Sequence, residues 1–210
     1  LQSGGDLNIG TVISGGNARL AAASSILAAS GAGSLKVGGD LVLLAGTGNL
    51  GTTVTDKMLS LDVAGRLLSA SAGQHIGLRW LGDDFRIGRI FAVGDLRLDA
   101  PNGSLLGQFE GLTVTGQSIR LNARDNILGL NGAALVIDQA SLDGELDASA
   151  GGDIRLSDTG ALRAGLIRAG GNLYLDAQST LSGRDLQAGG DLQLNSPEAT
   201  DLQRLSAGGD

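Results

Sequence analysis

The chain has 210 residues, a formal net charge of −7 and no cysteine, so disulfides and thiolate metal sites are excluded. The excess of acid argues against nucleic acid as a partner. No apolar run reaches the roughly 20 residues of a membrane span, so we expect no membrane insertion. Glycine is frequent, at 36 residues, and aromatic residues are rare, so aliphatic side chains must supply the core.

The first two thirds of the chain contain short segments in which a turn leads into an apolar-x-apolar triplet. Residues two apart point to the same face of a strand, so each triplet predicts a strand with two inward side chains. The steps between segments vary, and we assign residues 1–131 to irregular coils. The alanine-rich stretch 19–30 also suits a helix by propensity. The segments span residues 4–9, 15–20, 38–43, 57–61, 73–78, 93–98 and 116–121.

The last third repeats one signature, which is Gly-Gly followed by Asp or Asn and, where the chain continues, a triplet of the form apolar-x-Leu. The third position of successive copies is Asp153, Asn172, Asp191 and Asp210, so the step is 19 residues each time. We therefore assign residues 132–210 to regular coils. A constant step of this length predicts a solenoid, in which each repeat buries its apolar face against its neighbours.

Extending the same step backwards places Leu135 opposite Ile154 and Ile137 opposite Leu156. Paired glycines suit the corners, where the chain turns sharply and coils approach closely. We predict one all-β unit over residues 1–210, a parallel β-helix of about 10–11 coils and about 50 Å in length. Both ends of the sequence fall inside a repeat, which indicates an internal piece of a longer array.

The recurring Gly-Gly-Asp/Asn-Leu-x-Leu-Asp/Asn-Ala signature resembles the fibre repeats of filamentous haemagglutinin, a family of large bacterial exoproteins. The resemblance covers nearly the whole chain and is strongest from Gly132 onward. It implies a right-handed parallel β-helix and export through an outer-membrane two-partner transporter. It also implies that the protein is secreted or displayed on the bacterial cell surface. It also implies a structural shaft whose parent protein adheres to a receptor or glycan on a host or neighbouring cell.

The polar residues that follow the paired glycines are the strongest candidate for a site. In a solenoid they should stack about 4.8 Å apart in one column. We interpret the column as structural, with side-chain oxygens accepting hydrogen bonds from turn amides; a calcium column is the alternative. The Gly-Gly-x-Gly-x-Asp repeat of calcium-binding β-rolls is absent, so we predict no metal site. The column comprises Asp40, Asp95, Asp153, Asn172, Asp191 and Asp210.

No motif in the sequence points to catalysis. His75, the one histidine, lies at the column position of its repeat without a nucleophile motif beside it. Asp83 and Asp84 are an adjacent acid pair, a pattern common in solvated loops. We predict no catalytic residue, no cofactor and no enzyme. The alternative is a β-helical polysaccharide lyase or hydrolase, which would need a cluster of acids on one face.

The stretch 79–91 departs from the repeat because it holds three of the five aromatic residues. Arginine and aromatic side chains together are typical of binding hot spots. If the chain binds a ligand directly, we expect a patch here, with its tryptophan exposed, to hold an acidic glycan or a carboxylate-rich protein. The alternative is that Phe85 and Phe91 fill a wide coil. The patch comprises Arg79, Trp80, Phe85, Arg86 and Arg89.

Overall fold

The apolar-x-apolar triplets form short strands, and strands of successive coils pair side by side in parallel. The computed structural model describes residues 1–29, 33–140 and 143–209. These residues form an all-β parallel solenoid of about 10 turns, with a period near 20 residues and almost no helix. The predicted fold class is confirmed.

The described residues contain 25 strands. In chain order they are β1 (Gln2–Ser3), β2 (Leu7–Ile9), β3 (Thr11–Ser14), β4 (Ala18–Ala22), β5 (Ile26–Ala28), β6 (Ser34–Val37), β7 (Leu41–Ala45), β8 (Leu59–Val63), β9 (Leu67–Ala72), β10 (Ile76–Trp80), β11 (Phe85–Ala92), β12 (Leu96–Ala100), β13 (Leu105–Gly107), β14 (Leu112–Gly116), β15 (Ile119–Ala123), β16 (Ile127–Leu128), β17 (Leu135–Gln139), β18 (Leu146–Ala150), β19 (Ile154–Asp158), β20 (Leu162–Ala169), β21 (Leu173–Ala177), β22 (Leu181–Ala188), β23 (Leu192–Asn195), β24 (Thr200–Leu202) and β25 (Leu205–Ala207).

Two short 3-10 helices, Thr55–Lys57 and Leu130–Gly132, interrupt the strands. In the described part of the chain, no helix has the length and hydropathy that crossing a membrane requires.

Most coils contribute a strand to each of two long parallel sheets. The first sheet has 12 strands and runs from β1 through β4, β7, β9 and β11 to β19, β21 and β23. The second sheet has 11 strands and runs from β3 through β6, β8, β10, β12, β15, β18, β20 and β22 to β24 and β25. In two coils the first-sheet strand is split, into β13 and β14 and then into β16 and β17.

The core consists of ladders of aliphatic side chains between the sheets. Ile154, Leu173 and Leu192 occupy successive positions of one ladder. Ile154 and Leu173 are buried, and Leu192 is half-buried against the same core. The inward ladder predicted from the 19-residue step is therefore confirmed. Like side chains stack because each coil presents the same alternation of faces to the next.

The register predicted before β19 is wrong. Leu135 and Ile137 lie opposite Leu156 and Asp158, two residues from the predicted alignment. The cause is the loop of residues 129–134 between β16 and β17, which lengthens this coil. Because β19 pairs with both of those strands, a constant step cannot be extended through the loop.

The alanine-rich stretch forms strands β4 and β5 rather than the alternative helix. Strand β4 pairs with β1 on one side and β7 on the other, and these tertiary hydrogen bonds override the helix propensity of alanine. Residue 30, at the end of the stretch, lies outside the described residues.

Candidate functional site

The residue before most first-sheet strands carries a side-chain acceptor that reaches the next coil. Oδ1 of Asp153 accepts a hydrogen bond from the backbone N–H of Asn172 at 2.8 Å, and Oδ1 of Asn172 accepts one from Asp191 at 2.9 Å. The predicted bonding to turn amides is confirmed, and each amide belongs to the following coil. Asp210, the next predicted member, lies outside the described residues. This row, the first turn column, comprises Asn17, Asp40, Arg66, Asp84, Ser104, Asn126, Asp153, Asn172 and Asp191.

The first turn column is interrupted at Arg66, whose side chain has no acceptor. Arg66 instead turns back to Asp40: its backbone N–H donates to Oδ1 at 2.9 Å and its Nη2 to Oδ2 at 3.2 Å. These side-chain and backbone bonds hold the pKa of Asp40 below its usual range. The ladder resumes at Asp84, whose Oδ1 accepts from the N–H of Ser104 at 3.0 Å.

Asp95 does not belong to the same column as Asp40, contrary to the prediction. It precedes β12, at the corner that leads into the second sheet, where its N–H donates to Nδ1 of His75 at 2.9 Å. Both corners use glycine followed by an acceptor residue, so the sequence alone does not distinguish them. The second turn column comprises Asp6, Ser25, Asn49, His75 and Asp95.

The two columns require only an acceptor atom within reach of the next coil, which explains why Asp, Asn, Ser and His all occur in them. Asp153, Asn172 and His75, for example, each satisfy a turn N–H that the strand ladders leave unpaired. Among the described residues, no group of three His, Asp or Glu side chains could hold a metal ion. The columns therefore link each coil to the next through hydrogen bonds from backbone N–H groups to side-chain acceptors.

We expect His75→Asn to change the free energy of unfolding by less than about 0.5 kcal/mol and His75→Lys to lower it by about 1–2 kcal/mol. Asparagine keeps an acceptor for the N–H of Asp95, whereas lysine has only donors. Urea unfolding followed by circular dichroism measures both variants. Equal losses in the two variants would mean that the imidazole ring acts through packing and not through its acceptor.

We expect a calcium chelator to leave the thermal midpoint of unfolding unchanged. The carboxylates Asp153 and Asp40 already accept backbone N–H bonds, so no bound cation is needed to stabilise them. Differential scanning calorimetry with chelator and with added calcium makes the comparison. A thermal midpoint several degrees lower in the presence of chelator would support the alternative that the column binds calcium.

The structure separates the five residues of the predicted arginine–aromatic patch. Arg79 lies on β10 in the second sheet, beside Ser60 and Asp99 of the neighbouring strands. Arg86 and Arg89 lie on β11 in the first sheet, and both are exposed. The patch therefore does not form as one surface, although its two first-sheet arginines are both exposed.

Trp80 is not exposed, so the predicted tryptophan stacking surface is wrong. It is 1% exposed and stacks on the buried Phe85, with ring centroids 4.6 Å apart. Its Cα lies beside Leu61 in an inward row, and the two rings together fill a wide part of the core. Phe85 thus fills a coil as the structural alternative expects, whereas Phe91 points to solvent and is 47% exposed.

A groove of about 360 Å³ crosses the outer face of the second sheet. It brings together acids from different coils, which is the feature required by the polysaccharide-enzyme alternative. Sequence analysis missed this groove, because its residues lie far apart in the chain and form no local motif. The charged residues that line it are Asp95, Arg97, Arg120, Asp143, Glu145 and Asp147.

The acids of the groove are already engaged within the protein. Asp147 pairs with Nη2 of Arg120 through Oδ2 at 2.9 Å, while its Oδ1 accepts the N–H of Leu166 at 2.9 Å. Glu145 pairs with Arg184 at 3.2 Å. The contacts of Asp147 join neighbouring coils, and the Glu145–Arg184 pair reaches across the intervening strand β20, so both link coils of the solenoid.

Asp158 is a buried acid that sequence analysis missed. It points inward at the end of β19, in a row with Ile137 and Ala177. Its Oδ1 accepts the N–H of Gly160 at 2.7 Å, and its Oδ2 accepts that of Gln139 in the preceding coil at 3.2 Å. Burial raises the pKa of Asp158 to about 6, although the two backbone bonds oppose the shift.

The chain was compared with known protein families, with curated proteins and with solved structures, and none of the three comparisons finds a match.

Proposed function

We propose that this chain is a structural shaft, a rod segment that spans distance within a larger protein. The observation that supports this most directly is the row of side-chain acceptors along the turns. These residues bond coil to coil along the axis in addition to the backbone ladders, as at Asp153 and Asn172. A rod built this way grows by about 4.8 Å for each coil added and needs no other module to close its core.

The kind of parent protein is part of the proposal and depends on the resemblance to filamentous haemagglutinin repeats. We propose a large bacterial adhesin that is exported through an outer-membrane two-partner transporter and displayed on the cell surface or released. Its receptor or glycan partner would be on a host or neighbouring cell. A chain whose core lacks cysteine is compatible with this route, because it folds outside the cell without disulfide formation.

Removing one whole coil tests the shaft. Deletion of residues 173–191 from the parent protein brings Leu192 into the place of Leu173, so the ladder stays in register. We expect the protein to fold, to reach the surface and to support adhesion close to that of the unmodified protein. Deletion of residues 173–182 is the matched control: it removes about half a coil, breaks the register and should abolish display.

A correctly displayed protein that loses adhesion after the whole-coil deletion would contradict the shaft. Antibodies against this chain, applied to intact cells of the producing organism before and after protease treatment, test the surface location. Staining that appears only after the cells are lysed would contradict it.

The acid-lined groove of the second sheet supports one other candidate, a polysaccharide lyase or hydrolase. Glu145 and Asp147 would then act on a sugar chain that lies across the coils. Incubation with uronate-containing and neutral polysaccharides, followed by measurement of new reducing ends and unsaturated ends, tests for activity. Cleavage that Glu145→Gln abolishes would favour the enzyme; no cleavage of any polymer would favour the shaft.

A further inference from the structure

Two Asn-Gly pairs occur in the chain, Asn102-Gly103 and Asn131-Gly132. In such a pair the backbone nitrogen of the glycine can attack the side-chain amide of the asparagine, because glycine has no Cβ to hinder the approach. Every other asparagine precedes a residue with a side chain, which slows the same attack. The two pairs have equal chemistry, and the structure holds them very differently.

The first pair lies in the turn between β12 and β13 and is held by the coils on both sides. Nδ2 of Asn102 donates to the carbonyl of Leu81 in the preceding coil at 2.8 Å. The carbonyl of Gly103 accepts a bond from the N–H of Arg124 in the following coil at 3.0 Å. Gly103 is buried, and a Cβ built on it would collide with the carbonyl of Asp83. This peptide unit therefore cannot rotate without disturbing its neighbours.

The second pair lies at the tip of the loop of residues 129–134, between β16 and β17. The N–H of Gly129 closes the base of this loop by donating to the carbonyl of Ala133 at 2.8 Å. Asn131 is exposed, and among the described residues its side chain has no hydrogen-bond partner. A Cβ built on Gly132 would meet no atom within 4 Å beyond its chain neighbours. The peptide unit at the tip therefore has room to rotate.

The backbone of the second pair is also in a less favourable conformation than a strand. Asn131 has a φ of 54° and a ψ of 31°, in the left-handed region, and Gly132 has a φ of 79°. The nitrogen of Gly132 reaches Cγ of Asn131 when the backbone leaves this conformation. Leaving the left-handed region costs a residue with a side chain less than leaving a regular strand does.

We propose that Asn131 is a site of spontaneous deamidation and isoaspartate formation, and that the fold protects Asn102. The backbone nitrogen of Gly132 loses its proton and bonds to Cγ of Asn131. The C–N bond of the side-chain amide breaks, ammonia leaves, and a five-membered succinimide remains. Water then opens the ring at either carbonyl and gives aspartate or isoaspartate, so the net reaction consumes water and releases ammonia.

The modification changes the loop and leaves the ladders in place. Either product adds a carboxylate, and isoaspartate also adds the former side-chain methylene to the main chain. Asn131 lines a small slot of about 180 Å³ together with Phe109 and Glu110, so the new charge joins an existing acid there. Strands β16 and β17 keep their pairing with β19, and we expect the circular dichroism spectrum of the modified protein to be unchanged.

Incubation of the folded chain at pH 8 and 37 °C, followed by trypsin digestion and mass spectrometry, measures the reaction at both pairs. Trypsin places the pairs in separate peptides, residues 98–120 and 125–155. A sample digested without incubation corrects for conversion during digestion. We expect conversion at Asn131 to be at least about tenfold faster than at Asn102 in the folded chain. In concentrated urea, where the fold is lost, this difference should disappear.

Asn131→Gly is the matched control variant, because glycine adopts a φ of 54° readily and lacks the reacting amide. Loss of the isoaspartate signal from peptide 125–155 in this variant supports the proposal. Two results would overturn it: equal conversion of Asn102 and Asn131 in the folded chain, or no conversion of Asn131 in the folded chain while both asparagines react in urea. The reaction does not depend on the shaft function, so the two proposals can fail separately.

Discussion

Replacing Leu173 with aspartate should lower the free energy of unfolding by about 4 kcal/mol or more. Leu173 is 1% exposed and lies between Ile154 and Leu192 in the inward ladder. The variant loses the burial of a leucine side chain. It also places a carboxylate among aliphatic side chains, which offer it no hydrogen-bond donor. Urea unfolding of the purified chain, followed by circular dichroism, measures the loss.

Gln193→Asp is the matched control for this prediction. Gln193 is adjacent to Leu192 on β23, but its side chain is exposed, so the same new charge meets water. We expect a change within about 0.5 kcal/mol. If Leu173→Asp were as mild as Gln193→Asp, the ladder would not be the core of the protein.

Replacing Asp158 with asparagine should raise the free energy of unfolding at pH 7 by about 2 kcal/mol. The pKa of Asp158 is raised by burial from its usual 3.8 to about 6, so the folded protein binds this proton more tightly than the unfolded chain does. The contribution of the group is therefore most favourable below pH 4 and is lost as the pH rises through 6. The amide removes the buried charge, at the cost of the acceptor for the N–H of either Gly160 or Gln139.

Unfolding free energies of both proteins between pH 4 and pH 8 check this prediction. The advantage of Asp158→Asn should be largest above pH 6 and disappear near pH 4. Asp201→Asn, at an exposed acid, is the control and should leave the pH profile unchanged. Parallel profiles for the wild-type protein and Asp158→Asn would mean that the carboxylate titrates alike in the folded and unfolded chains.

The sequence by itself determined the architecture, because alternating aliphatic residues, paired glycines and a constant step satisfy few folds other than a parallel solenoid. It also determined the role of Asp153 and Asn172, since a turn amide needs an acceptor wherever the coil lies. These features are local and recur, so each copy confirms the others. The regular coils from β19 onward were accordingly predicted in the correct register.

Only the tertiary structure decided which corner a turn belongs to, and therefore that Asp40 and Asp95 lie in different columns. At both corners a backbone N–H of the next coil needs a hydrogen-bond acceptor, and the same residue types supply it. The sequence therefore does not show which corner a given turn forms. The structure also decided where each strand ends, and alternation carries a side chain inward only while the strand continues. Strands β10 and β19 extend to Trp80 and Asp158, which therefore continue the inward alternation of Leu78 and Leu156, whereas Phe109 lies in the loop between β13 and β14 and is exposed.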